Sequence, residues 1–165
     1  MFTLSAQAQQ YVEQHLDELF SLTAELCAIP APSRHEEKRA SFCKKWLIDH
    51  GAEGAYIDDA KNVIWEYQCD GKNEVVCLAA HTDTVFPDMT PFKIEIRDGR
   101  AYCPAIGDDT VCVAKLLLIA AYVAQHRPEC EKGMLFVFNA CEEGLGNLDG
   151  VRQLFSDWEG RIAEF

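Results

Sequence analysis

Three short groups of polar residues have the side-chain types that bind divalent cations. They are His81-Thr82-Asp83, Asp108-Asp109 and Glu142-Glu143. Neutral imidazole and carboxylate are ligands for zinc, manganese or cobalt, and paired carboxylates can bridge two such ions. Together the three groups predict a site for one or two metal ions, and the chemistry that such a site supports is metal-dependent hydrolysis.

Each group also has an ordinary structural explanation. The Asp after His81 could cap the segment that follows it, Asp108-Asp109 could cap a helix, and Glu142-Glu143 could be a solvated turn. Each group, however, directly follows an apolar or glycine-bearing segment. Three such coincidences are a weaker explanation than one shared site, so we favour the metal site.

Composition limits the class of protein. The chain has 165 residues, 48% of them hydrophobic, which is enough for one domain that buries roughly 70% of its unfolded surface. Its net charge of −12 argues against binding to nucleic acid or an anionic membrane, because both use lysine and arginine contacts. The eight cysteines include no C-x-x-C pair, which favours reduced thiols and a cytoplasmic protein.

Apolar periodicity predicts the elements that must position the polar groups. Leucines at helical spacing up to Leu26 predict a first helix, which ends before Pro30. Ser33-x-x-Glu36 has the pattern of a capping box and predicts the start of a second helix, which ends at Gly51.

The rest of the chain alternates between strands and helices. Asp98-Gly99 predicts a hairpin turn after the alternating segment Phe92–Ile96. The other predicted strands are 63–67, 75–80, 134–140 and 161–165, and the predicted helices are 111–125 and 148–155. This order predicts an α/β fold of three layers, with a mostly parallel sheet and an antiparallel hairpin.

The predicted elements bring the polar groups together. His81 directly follows one apolar strand and Glu142 another, and open α/β sheets place their ligands at the carboxyl ends of such strands. Asp108 lies at the start of a buried helix, near its positive end. If the two strands are neighbours, residues about sixty positions apart converge on one edge of the sheet.

Three motifs resemble those of the M20 family of metallopeptidases. They are Ala-His-Thr-Asp-Thr-Val-Phe-Pro, which begins at residue 80, Gly-Asp-Asp, which begins at residue 107, and Cys-Glu-Glu-Gly, which begins at residue 141. The order His-x-Asp, Asp, Glu-Glu is shared with the M28 and M42 aminopeptidases, and the Thr-Val-Phe-Pro continuation favours M20. The resemblance implies the first part of a zinc-peptidase-like catalytic domain. It also implies hydrolysis of peptide bonds or N-acyl amino acids.

The resemblance assigns a role to each site residue. His81 and Glu143 would each be a terminal ligand of one of two zinc ions, and Asp108 would bridge them, with cobalt or manganese as other metals for the same ligands. Asp83 would orient His81. Glu142 would be the general base that takes a proton from the attacking water and later delivers it to the leaving amine.

Several parts of that family's site lie outside residues 1–165. A further carboxylate ligand, a distal histidine and a lid domain that carries dimer contacts are expected elsewhere, so a homodimer is implied for the full-length protein only. We therefore expect the isolated chain to bind zinc weakly and to hydrolyse peptides poorly. The alternative is a non-catalytic or split half-domain that acts through a partner chain. Such a partner could add a strand to the sheet edge after Arg161.

Overall fold

The computed structural model describes residues 3–165, which fold around a five-stranded sheet. The sheet has the order β1-β2-β6-β3-β7, and all of its strands except β2 run in the same direction. The strands are β1 (Tyr56–Ile57), β2 (Val63–Tyr67), β3 (Val75–His81), β6 (Gly133–Asn139) and β7 (Ile162–Glu164). A separate hairpin pairs β4 (Glu95–Arg97) with β5 (Arg100–Tyr102).

Helices cover both faces of the sheet and give three layers. The helices are α1 (Ala6–Gln14), α2 (Leu16–Cys27), α3 (Glu37–Asp49), α4 (Val111–His126) and α5 (Asp149–Asp157). α2, α3 and α4 pack on one face, and α5 packs on the other. The α/β fold predicted from the sequence is confirmed.

The central strand β6 shows why this sheet forms. Its side chains alternate between the two faces, so that Phe136 and Phe138 pack under α2, α3 and α4 while Leu135 and Val137 pack toward α5. All four side chains are fully buried. An unbroken apolar run is therefore the pattern that a strand between two helical layers requires.

The first predicted helix is wrong in one respect, because the structure divides it at His15. The backbone there has φ −108° and ψ 14°, outside the helical region. The His15 ring donates through Nδ1 to the carbonyl of Tyr11 at 2.7 Å and stacks on the Tyr11 ring at 3.8 Å. The histidine side chain thus ends α1 without the proline or glycine that usually marks a helix end.

Two other predictions need adjustment. The hairpin turn at Asp98-Gly99 is confirmed, but β4 begins only at Glu95, so Phe92 and Ile94 lie outside it. The buried helix α4 ends as predicted, because Arg127 adopts a left-handed conformation directly before Pro128. Among residues 3–165, no helix is both long and apolar enough to span a membrane.

Candidate metal centre

The carboxyl ends of β3 and β6 place the predicted site residues side by side. The two strands are parallel neighbours, and His81, the last residue of β3, lies opposite Asn139, the last residue of β6. The chain leaving β6 reaches Glu142 and Glu143 within four residues of that point. The expected convergence of the first and third polar groups is therefore observed.

The His81 imidazole is mostly buried and is surrounded by carboxylates. Its Nδ1 lies 3.1 Å from the carbonyl oxygen of Asp83 and 3.5 Å from that residue's Oδ1. Its Nε2 lies 3.1 Å from Oδ1 of Asp108 and 3.7 Å from Oε2 of Glu142. Because only an N–H can pair with the Asp83 carbonyl, Nδ1 carries a proton. Nε2 is therefore the nitrogen that could give up its proton and bind a metal.

The Asp83 carboxylate is completely buried, and protein donors occupy both of its oxygens. Oδ1 accepts the backbone N–H of Glu142 at 2.9 Å, and Oδ2 accepts that of Glu143 at 3.1 Å. Oδ2 also accepts the hydroxyl of Ser33 at 2.7 Å. Burial favours the neutral acid, but the hydrogen bonds from His81, Ser33 and these amides outweigh it and lower the pKa of Asp83.

The capping box predicted at Ser33 and Glu36 is wrong. Helix α3 begins at Glu37, and its first turn receives no side-chain cap. The hydroxyl of Ser33 is bonded to Asp83 instead, and Oε1 of the fully buried Glu36 accepts the backbone N–H of Cys141 at 3.1 Å. Oε1 of Glu36 also accepts the backbone N–H of Arg34 at 2.8 Å, in the loop before α3. Both residues therefore hold the site and this loop rather than the first turn of the helix.

Two buried polar side chains that the sequence analysis missed fix the chain just before Glu142. Cys141 has a left-handed backbone, with φ 57°, and Glu36 holds its amide. Asn62 accepts the amide of Ala140 through Oδ1 at 3.0 Å and donates through Nδ2 to the carbonyl of Gly150 at 2.9 Å. No spacing in the sequence marks these contacts. In the structure, the complete burial of Asn62 and Glu36 indicates their role, because buried polar side chains are rare unless they are hydrogen-bonded.

The second polar group approaches His81 from the other direction. Asp108 and Asp109 lie in a wide π-type turn, Ile106–Thr110, just before α4 rather than in its first turn. The Asp109 carboxylate accepts the backbone N–H of His81 at 3.1 Å. The Asp108 side chain is 82% exposed although it contacts the imidazole, so part of the site faces solvent.

The donor set fits a divalent cation. Ligand atoms of His81, Glu142 and Glu143 all lie within 4.8 Å of one another, and Asp108 adjoins them through His81. Burial favours the neutral imidazole, but hydrogen bonds to Asp83 and Asp108 outweigh it and raise the pKa of His81 to about 9. Burial also raises the pKa of Glu143. The site therefore concentrates negative charge around one nitrogen, an arrangement that a cation would stabilise.

Comparison with solved structures defines the class of this fold. The aminopeptidase LapA of Legionella pneumophila superimposes with a TM-score of 0.71 at 13% identity, over 98% of this chain and 45% of that one. YxeP of Bacillus subtilis, a dinuclear metal-binding peptidase of the M20 family, gives a TM-score of 0.61 at 19% identity, over 91% and 42%. The fold is that of peptidases of the M20/M28 type.

Sequence comparison identifies the family. The model of peptidase family M28 matches residues 62–163, so the chain belongs to that family. A Pyrococcus abyssi protein provisionally named LysW-lysine/LysW-ornithine hydrolase is 39% identical over 79 residues, which are 48% of this chain and 22% of that protein. The chain spans less than half of the length of each of these three relatives. The predicted resemblance thus holds for the wider M20/M28 class and is not specific to M20.

Proposed function

We propose that this chain carries part of the catalytic site of a metal-dependent hydrolase of peptide or related amide bonds. The observation that supports this most directly is the arrangement around Nε2 of His81, which faces Asp108 and Glu142 while the opposite nitrogen is held by Asp83. A histidine oriented in this way by its other nitrogen is the usual form of a metal ligand. Membership of peptidase family M28 agrees with this reaction class.

In this proposal His81, Asp108 and Glu143 hold the metal, and zinc is the first candidate. Nitrogen and oxygen ligands of this type also accept cobalt and manganese. A bound pair of such ions would polarise the scissile carbonyl and make the attacking water more acidic. The backbone carbonyl of Asp83 accepts from Nδ1 and keeps the imidazole in the required tautomer, and two backbone amides fix the adjoining carboxylate.

Glu142 is the proposed general base. Its carboxylate lies 3.7 Å from His81 and its side chain is 40% exposed, so it can reach both the metal centre and a water molecule. It would take a proton from the attacking water and deliver it to the leaving amine, so the same carboxylate is restored at the end of the cycle.

The substrate class and setting extend the same proposal. The motif that begins at His81 favours an M20-like substrate, meaning a small peptide or an N-acyl amino acid. The eight cysteines are free thiols, which supports a cytoplasmic location. The full-length protein would be a homodimer, and the negative net charge disfavours nucleic acid and membranes as partners.

We further propose that residues 1–165 alone are a weak enzyme. The two solved relatives are more than twice as long as the part that this chain matches. Removal of a residue that supports a metal ligand already costs about 10- to 100-fold in metal affinity, and loss of a ligand itself should cost more. The alternative is a half-domain completed by a partner chain. Among the described residues, β7 pairs with β3 only at Val75 and Val76, so much of that edge is open to an added strand.

The test is zinc titration of the chain by calorimetry, with His81→Ala and His126→Ala compared as matched variants. His126 is exposed and bonded to the Tyr122 carbonyl, so its loss should leave zinc binding unchanged. Loss of zinc binding only in His81→Ala is expected. Equal affinity in both variants would reject the metal centre, and fast peptide turnover by the chain, abolished in Glu142→Gln, would reject the proposal of weak activity.

A further inference from the structure

A cavity of about 560 Å³ lies directly beside the candidate metal centre, because Glu143 forms part of its wall. The other walls come from three loops. The lining residues are Pro32, Ser33 and His35 before α3, Thr84, Val85, Pro87 and Met89 after β3, and Gly144 and Leu145 after β6. A volume of this size is in the usual range for small-molecule sites. It is large enough for a single amino-acid side chain of any type.

Hydrogen bonds between the loops preform this cavity. The amide of Thr84 donates to the carbonyl of Ala31 at 2.9 Å, which joins the first two loops. Arg34 donates through Nε to the carbonyl of Leu145 at 3.2 Å and pairs with Asp149 at 2.9 Å, which ties the third loop to the first. The walls are therefore held in place without a ligand, and binding would not have to order them.

The cavity exposes apolar side chains to solvent. Val85, Met89 and Leu145 are 59%, 55% and 82% exposed, and Pro87 is exposed beside them. A cluster of exposed apolar groups next to a polar site is typical of a binding surface. Their burial by an apolar ligand group would remove this surface from water.

The charges around the cavity select against an acidic ligand. Its lining includes Glu143 and the imidazole of His35 but no lysine or arginine. In the metal-free chain, a carboxylate placed there would lie beside the carboxylate of Glu143, with the imidazole of His35 as the one basic side chain in the lining. We propose that the cavity receives an apolar substrate side chain, of the size of Leu, Met or Phe, on the residue that flanks the scissile bond. This inference rests on the hydrolase function proposed above.

The test uses the chain labelled with ¹³C at Val, Leu and Met methyl groups. Amides of N-acetyl-leucine, N-acetyl-lysine and N-acetyl-aspartate are titrated, and methyl shifts of Val85, Met89 and Leu145 are followed. The leucine compound should shift these methyls and bind at least about tenfold tighter than the aspartate compound. Equal affinities, tighter binding of the lysine compound, or no shift at these methyls would overturn the inference.

A variant pair locates the effect. Leu145→Asp should weaken binding of the leucine compound by about tenfold, because it removes an apolar wall and adds a charge. Ile119→Asp makes the same type of change at a 45% exposed position on α4 outside the cavity, and it should change nothing. Equal losses in both variants would overturn the inference. Zinc binding in the same samples tests the hydrolase proposal separately, since the methyl shifts are read without metal.

Discussion

The two aspartates that flank the His81 ring differ in almost every physical respect. The side chain of Asp83 has no exposed surface, and three donors besides the histidine hold its oxygens. The side chain of Asp108 is 82% exposed, and the imidazole is its hydrogen-bond partner among the described residues. The protein itself satisfies the first carboxylate, whereas the second keeps most of its capacity for a ligand. Asp83 and its hydrogen-bond donors, the oriented half of the site, thus position His81. Asp108, the exposed half, is free to bind a ligand.

The largest effect is expected from removing the oriented half. Asp83→Ala leaves two backbone amides and the Ser33 hydroxyl without their charged acceptor, so the free energy of unfolding should fall by about 3–5 kcal/mol. Urea denaturation followed by circular dichroism measures it. Ser33→Ala removes one of these donors and should cost about 1–2 kcal/mol. Asp88→Ala, at an exposed position in the same loop, should stay within about 0.5 kcal/mol of the parent. If Asp83→Ala lowered the free energy of unfolding by less than about 1 kcal/mol, the proposed difference between Asp83 and Asp108 would be wrong.

An intermediate effect is expected at Glu36, which supports the oriented half from behind. Glu36→Ala deprives the buried amide of Cys141 of its acceptor and Lys61 of one carboxylate, and should cost about 2–3 kcal/mol. Glu36→Gln keeps an acceptor oxygen and should lose roughly half as much.

The neighbouring Glu37 is the control for this effect. Its side chain is 62% exposed and also pairs with Lys61, so Glu37→Gln should change stability by less than about 0.5 kcal/mol. Amide chemical shifts of Cys141 and Glu142 should move in Glu36→Ala and not in Glu37→Gln. Unmoved shifts in Glu36→Ala would mean that Glu36 does not position this segment.

The smallest effect on stability is expected at Asp108, in the exposed half of the site, where the effect on metal affinity should still be clear. Asp108→Ala breaks one ion pair whose carboxylate is exposed to solvent, and it should change the free energy of unfolding by less than about 1 kcal/mol. Its zinc affinity should nevertheless fall by at least about tenfold, because a proposed ligand is lost. Calorimetric titration beside a thermal melt separates the two quantities. Unchanged zinc affinity would place the metal on His81, Glu142 and Glu143 alone.

The sequence predicted those parts of the fold that depend on hydrophobic pattern. The apolar runs of β3 and β6 predicted two buried strands, and their parallel pairing explains why His81 and Glu142 meet. The residue groups at strand ends were visible because their side chains follow directly on these runs. Local pattern and tertiary position agree there, which is what makes such elements predictable.

The parts that could not be predicted depend on contacts between distant segments. Ser33 and Glu36 have the spacing of a capping box, but Ser33 is bonded to Asp83, 50 residues away. Glu36 is bonded to Cys141, 105 residues away, as well as to the nearby amide of Arg34. Asn62 likewise holds the end of β6 from 78 residues away. A single sequence gives no distance information for such pairs, so a local motif was preferred where a tertiary one had formed.

The Asp109 contact with the backbone of His81 limits how the exposed half can move. Its carboxylate accepts the last amide of β3, the position that a carbonyl of an adjoining strand would otherwise take. The turn is thus fastened to the sheet immediately beside Asp108. Asp108 can consequently adjust to different ions or ligands by changing its side-chain torsions, while the Asp109 hydrogen bond restrains its backbone relative to the end of β3. Adjacent residues thus have different roles: Asp109 holds the turn against the sheet, and the side chain of Asp108 is free to rotate.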